Sequence, residues 1–126
     1  MSKIFESGEM YLENILVLRA KQEHVRSIDI VNYTGYSKPS ISRAIGLLRR
    51  DGMLEVDDDG HITLTEEGER RAQKIYERHR TLTEFFSMIG VSAQVASADA
   101  CKMEHDISDE TFEKIKEHVR RAKGDV

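Results

Sequence analysis

Apolar residues recur at helical spacing along most of the chain, and a pair of short extended runs interrupts them once. Between about Ser7 and Lys21, the residues Tyr11, Leu12, Ile15, Leu16 and Leu18 fall on one stripe, which predicts an amphipathic first helix. Ser27 is a good N-cap for a short second helix carrying Ile28, Ile30 and Val31. Thr34-Gly35-Tyr36 then supplies a tight turn in which glycine tolerates a positive φ. Ser37 caps a third helix with Pro39 in its first turn, where a missing N–H does no harm. That helix is expected to bury Ile41, Ala44, Ile45, Leu47 and Leu48 and to stop at Asp51-Gly52.

The extended runs, Met53–Val56 and His61–Leu64, are joined by Asp57-Asp58-Asp59-Gly60 and predict a β-hairpin. Thr65 caps a long helix whose Glu66, Glu67 and Glu69 complement the positive end of its dipole. The pattern carries it to about Met88, before Gly90. Ser92 opens another helix through His105, and Ser108-Asp109-Glu110 opens a last one ending near Ala122. The order predicts a mainly α chain: an N-terminal winged helix-turn-helix over 1–72, then an α-helical half over 73–126.

Composition changes this picture little. A third of the 126 residues are charged and 39% are hydrophobic, as in an ordinary folded domain rather than a disordered chain. No apolar run reaches membrane-spanning length, and the opening MSKIFESGEM lacks the apolar core of a secretory leader. Cys101 is the only cysteine, so no internal disulfide can form, and a reducing cytoplasm is the expected location. Net charge is −4, which argues against indiscriminate nucleic-acid binding and leaves room for a local basic face.

Such a face exists. From Lys38 to Arg50 there are four basic residues and no acidic one. The exposed side of the third helix would offer Ser37, Lys38, Ser40, Ser42 and Arg43, with Arg49 and Arg50 at its end. Small hydroxyls permit close approach to a DNA groove, and Arg43 can reach a guanine edge bidentately. Lys38 and Arg26 are candidate phosphate contacts. A solvated basic face is the plain alternative, but turn, hairpin and localised charge agree on double-stranded DNA. The acidic hairpin tip should repel phosphate and stay out of the groove.

A second constellation lies in ACKMEHD. Cys101, Glu104 and His105 are spaced i, i+3, i+4, so on a continuous helix they share one face and could converge on a divalent transition ion. Met10 and Glu13 are three apart on the first helix, and His79 lies on the long helix. Each also has a plain reading: Met10 as core filler, Cys101 as a small buried hydrophobe, His79 as an exposed helical residue, Glu104-His105 as a surface pair.

At this point the chain resembles the iron- and manganese-dependent repressors typified by the diphtheria toxin repressor. The stretches GEMYLENI, SKPSISRAIGLLRRDGMLEV, TLTEEGERRAQKIYERHR and ACKMEHDISDE carry the likeness in order over nearly the whole sequence. The resemblance implies a homodimer that binds operator DNA when metal orders its reading heads. It implies that Met10, Cys101, Glu104 and His105 match the principal site of iron-type members, while Glu13 and His79 match positions used by manganese-type members. The ancillary site of iron-type members would need a carboxylate and a histidine where Thr83 and Ser97 stand, so that site is expected to be absent. Ser37, Pro39, Ser42 and Arg43 fall on base-reading positions, and the sequence ends at Val126, before the SH3-like domain that longer members append.

A thioether and a thiolate disfavour Mn²⁺, which points to Fe²⁺ first and Mn²⁺ second. The expected function is a metal-activated transcriptional repressor of metal-ion homeostasis, not an enzyme: no phosphate loop, nucleophile elbow or histidine-rich zinc motif accompanies the site. The alternative is a winged-helix regulator that senses an organic ligand and uses Met10, Cys101 and His105 for packing. A metallohydrolase and a structural zinc site are further alternatives, the latter disfavoured by a donor set containing Met and Glu.

Overall fold

A computed structural model describes residues 6–124, so the expectation about a leader at the N-terminus lies outside the described residues. The chain forms α1 (Glu6–Lys21), α2 (Ser27–Thr34), α3 (Lys38–Arg50), β1 (Leu54–Val56), β2 (Ile62–Leu64), α4 (Glu66–Met88), α5 (Ala93–Met103) and α6 (Asp109–Ala122). Its contacts divide it into two compact units, Met1–Gln73 and Lys74–Val126, with the division inside α4.

The first unit is a winged helix. Tyr11, Leu12, Ile15, Leu16 and Leu18 of α1 are all buried, as their spacing predicts, and so are Ile30 of α2 and Ile41, Ala44, Ile45 and Leu48 of α3. Leu47 departs from expectation in being only half-buried, at the edge of the α3 stripe, and Ile28 is 53% exposed, because a helix of eight residues has room for only a narrow inward stripe, centred on Ile30. Arg26, rather than Ser27, is the N-cap of α2, and its backbone N–H donates to the Asp29 carboxylate at 2.8 Å. Ser37 caps α3 as expected, accepting from the Ser40 N–H at 3.3 Å. Gly35 takes the left-handed conformation that the tight turn requires (φ 78°).

The hairpin is a three-pair antiparallel ladder in the register Leu54–Leu64, Glu55–Thr63 and Val56–Ile62. Its outer edge is tied down by the Ile62 N–H donating to Val25 O at 2.7 Å. Its base is closed by Thr65, whose N–H donates to Met53 O and whose hydroxyl donates to Gly52 O while accepting from Gly68 N–H.

Gly68 lies against this base. A Cβ built there would stand 1.8 Å from Met53 O, too close for any side chain. Gly68→Ala gains up to about 1 kcal/mol of helix propensity. The overlap is with backbone, which can yield only by shifting the hairpin base, at about 1–3 kcal/mol or more. The overlap wins, and urea unfolding should show the variant less stable than the parent.

Arg19 and Glu69 form a fork pair within the same unit, with Arg19 Nη2 donating to Glu69 Oε2 at 2.9 Å. The Arg19 hydrogen bonds, aided by Gln73 and opposed by partial burial, lower the Glu69 carboxyl from 4.5 to about 2. A depressed carboxyl contributes stability that is complete above its unfolded value and is lost as pH falls through its folded one. Both side chains are over a third exposed, so the pair contributes under about 1 kcal/mol. Glu69→Gln should lower thermal stability slightly at pH 7, with the difference from the parent closing between pH 4.5 and pH 2.

The second unit packs Ile75 and Leu82 of α4, Ala96 and Ala100 of α5, and Phe112 and Val119 of α6, all buried. Ion pairs Lys116–Glu77 (2.8 Å) and Lys123–Glu84 (3.1 Å) fasten α6 along α4. Ser108 caps α6, accepting from Thr111 N–H at 3.2 Å. Among the described residues, no helix is long and apolar enough to cross a membrane.

Candidate metal centre and nucleic-acid interface

The sequence places His105 inside α5, but the helix ends at Met103. Glu104 N–H still bonds Ala100 O at 2.9 Å, and then Asp106 and Ile107 both donate to Met103 O at 3.0 Å, turning the chain back on itself. Glu104 and His105 therefore sit on a turn. The expectation that Cys101, Glu104 and His105 share one helical face is corrected accordingly: Cys101 is exposed on α5, whereas the side chains of Glu104 and His105 are 0% and 4% exposed.

The two buried side chains meet a third from α4. His79 Nδ1 lies 2.9 Å from Glu104 Oε2, and His105 Nε2 lies 3.4 Å from Glu104 Oε1. At that second distance no hydrogen bond forms, and Oε1 has no hydrogen-bond partner among the described residues. A buried carboxylate oxygen left without a partner is costly in free energy unless a cation or donor meets it. An imidazole and a carboxylate 2.9 Å apart are donors suited to a first-row divalent ion, so His79 and Glu104 fit a metal.

The turn itself is held by Arg78, which the sequence reading passed over as one more base in Glu-Arg-His-Arg. Its side chain is 8% exposed, donates from Nη1 to the carbonyls of Glu104 (3.0 Å) and Ile107 (2.6 Å), and pairs through Nη2 with Asp109. Its guanidinium lies over the Phe112 ring, 5.4 Å from the centroid. Lys74 and then Arg78 hold the Asp109 carboxyl below its ordinary range. No local pattern reveals this role, because its partners lie 26 to 31 residues away.

In the first unit, Glu13 is 9% exposed on α1. Met10, one turn earlier, is half-buried, and its Sδ accepts from the Tyr36 hydroxyl at 3.9 Å. Thr83 spends its hydroxyl on the His79 carbonyl at 2.7 Å.

The α3 face is laid out as the sequence predicts, with Ser37, Lys38, Pro39, Ser40, Ser42, Arg43, Arg49 and Arg50 all exposed. Ser37 gives part of its hydroxyl to capping and donates to Ser40 Oγ at 2.9 Å. Arg26 is drawn to the hairpin, where Nε donates to Asp59 O at 3.1 Å and Nη2 to His61 Nε2 at 3.0 Å. Tyr33 and Tyr36 are 47% and 46% exposed beside the turn.

Residues 65–125 match the family model described as iron dependent repressor, metal binding and dimerisation domain. The chain is 34% identical over 103 residues to the transcriptional regulator MntR of Escherichia coli O6:H1, covering 82% of this chain and 66% of that protein. It is 30% identical over 123 residues to an uncharacterized HTH-type transcriptional regulator of Methanocaldococcus jannaschii, covering 96% of this chain and 98% of the relative. A manganese-dependent transcriptional repressor solved in complex with manganese superposes with a TM-score of 0.81 at 26% identity, over 89% of this chain and 52% of the other. The chain thus spans just under two thirds of MntR and about half of that solved repressor. Fold and relatives are those of winged-helix transcriptional regulators, a class without enzymatic members among the relatives named. The chain belongs to the diphtheria toxin repressor and manganese transport regulator family of metal-dependent transcriptional repressors.

Proposed function

We propose that this chain represses transcription in the cytoplasm by binding operator DNA as a homodimer when a divalent Fe²⁺ or Mn²⁺ ion is bound. The observation that carries the reading is the buried Glu104 carboxylate, with one oxygen on His79 and the other, beside His105, without a hydrogen bond among the described residues. The ion supplies the positive charge that this carboxylate lacks. His79 and Glu104 are the central ligands in this reading, and Met10, Glu13, Cys101 and His105 are the further donors that the family pattern assigns. Exposure of Cys101 weakens the thiolate argument that put Fe²⁺ first, and a nitrogen–oxygen set places Mn²⁺ beside it.

The first unit reads DNA through Lys38, Ser40, Ser42, Arg43 and Arg49, with Ser37 and Pro39 setting the start of α3. The second unit carries His79 and Glu104 and makes the dimer. Exposed Met88, Ile89, Val95 and Met103 supply apolar surface that a second copy would cover. A two-fold dimer matches a pseudo-palindromic operator. Ion and DNA then strengthen each other's binding by linkage.

The test is DNA affinity on a duplex selected from random sequence. It would be measured with Mn²⁺, anaerobic Fe²⁺, Zn²⁺, Mg²⁺ or a chelator, together with metal stoichiometry. Mn²⁺ or Fe²⁺ should tighten binding by roughly 5- to 150-fold. Equal affinity with metal and with chelator would overturn the reading in favour of a metal-independent regulator.

A further inference from the structure

A polar cluster joins the hairpin to the start of α2 and takes no part in the metal centre. His61 is at its middle. Arg26 Nη2 stands 3.0 Å from His61 Nε2, and a guanidinium only donates, so Nε2 must present its lone pair. The ring proton is therefore on Nδ1, which faces Asp57 Oδ2 at 3.3 Å. Arg26 is fixed at a second point by its Nε hydrogen bond to Asp59 O. His24 stacks on His61 with centroids 4.1 Å apart and planes within 3°, and Glu23 lies beyond it, 3.7 Å from His24 Nε2. Ligand atoms of Asp57, Asp59 and His61 lie within 4.8 Å of one another, but the His61 lone pair is already given to Arg26.

We propose that His61 is a proton-operated latch, which holds Arg26 on the hairpin while neutral and releases it to a DNA phosphate when protonated. Protonation places an N–H on Nε2 directly against the guanidinium N–H, so the hydrogen bond is lost and two like charges face each other. His24 and Arg26 oppose the charged ring, while the Asp57 and Asp59 carboxylates support it. Each protonation state thus has partners, and histidine is the side chain whose charge changes between about pH 5 and 8. Asp59 O alone then retains Arg26. Arg26 caps the first helix of the helix-turn-helix, the element that crosses the phosphate backbone in this motif. The DNA consequence rests on the repressor reading, whereas the latch itself is a property of the first unit.

The experiment uses the full chain, metal-free for the resonance measurement and with saturating Mn²⁺ for DNA binding, comparing the parent with His61→Gln, whose amide oxygen accepts from Arg26 without titrating, and with Arg26→Ala. Without DNA, rotation of the parent's Arg26 guanidinium about its Nε–Cζ bond, read from the Nη nitrogen line shapes, should be slow at pH 8, where Nη2 is held by His61, and fast by pH 5.5, while in His61→Gln it stays slow at both. With DNA, the slope of log K against log salt should steepen by about 0.9 between pH 8 and pH 6 in the parent, the signature of one added phosphate contact. It should stay constant in both variants. Slow rotation that survives at pH 5.5 in the parent overturns the latch. So does a slope change that persists in Arg26→Ala, since the protonated ring itself would then be the contact. If no variant binds DNA at either pH, the repressor reading fails, and the resonance still decides the latch.

Discussion

Arg78→Met is expected to destabilise the second unit by about 2–4 kcal/mol. Methionine can follow the alkyl stem of arginine, so little apolar packing is lost. What disappears is a donor bridging the Glu104 and Ile107 carbonyls, and a buried acceptor left unsatisfied costs about 1–3 kcal/mol. Asp109 is 73% exposed and rehydrates when its partner goes, so the ion pair adds little to the loss. Urea unfolding followed by circular dichroism gives the number. Arg78→Lys should recover only part of it, because one ammonium cannot match the planar fork that spans two carbonyls and a carboxylate. A loss below about 1 kcal/mol in the methionine variant would mean that the turn holds itself.

Glu104→Gln should separate stability from metal response. In the metal-free protein the substitution replaces a buried carboxylate, one of whose oxygens has no hydrogen-bond partner among the described residues, with a neutral amide of the same shape. Its amide group can still hydrogen-bond His79. Metal-free thermal stability should therefore be unchanged or raised. With Mn²⁺ or Fe²⁺ the order reverses. The parent should gain stability by mass action, while the variant, lacking an anionic ligand, should bind at least about 100-fold more weakly and gain little. Calorimetric titration and melting curves with and without metal check both halves. A variant that keeps the full metal-induced gain would remove Glu104 from the site.

Much of the fold was legible because its punctuation is local. In α3, Ser37 and Pro39 at the start and Asp51-Gly52 at the end bracket a stripe that packs nearly as spaced. The hairpin and its acidic turn were equally readable, since register follows from two short runs and one turn. Failures came where distant residues decide. Nothing between Cys101 and Asp106 resembles a helix stop, and the bonds that hold this turn come from Arg78 on another helix. Gly68 looks like a weak helix former until Met53 O is seen against it. Arg26 looked free for phosphate, but its hairpin partners are 33 and 35 residues away. His79 was legible as a candidate donor on the long helix, but its approach to Glu104 needed three-dimensional packing to appear.

Because α5 stops at Met103, the spacing between Glu104 and His105 is not dictated by helical pitch. Two candidate donors are carried by a turn whose shape depends on one arginine and a few carbonyls, while the helices on either side keep their own caps and cores. Substitutions at Asp106 or Ile107 can therefore shift donor positions by fractions of an ångström without repacking a helix. Such a turn is an adjustable part of an otherwise rigid unit, and it gives natural variation or engineering a short route from one divalent ion to another.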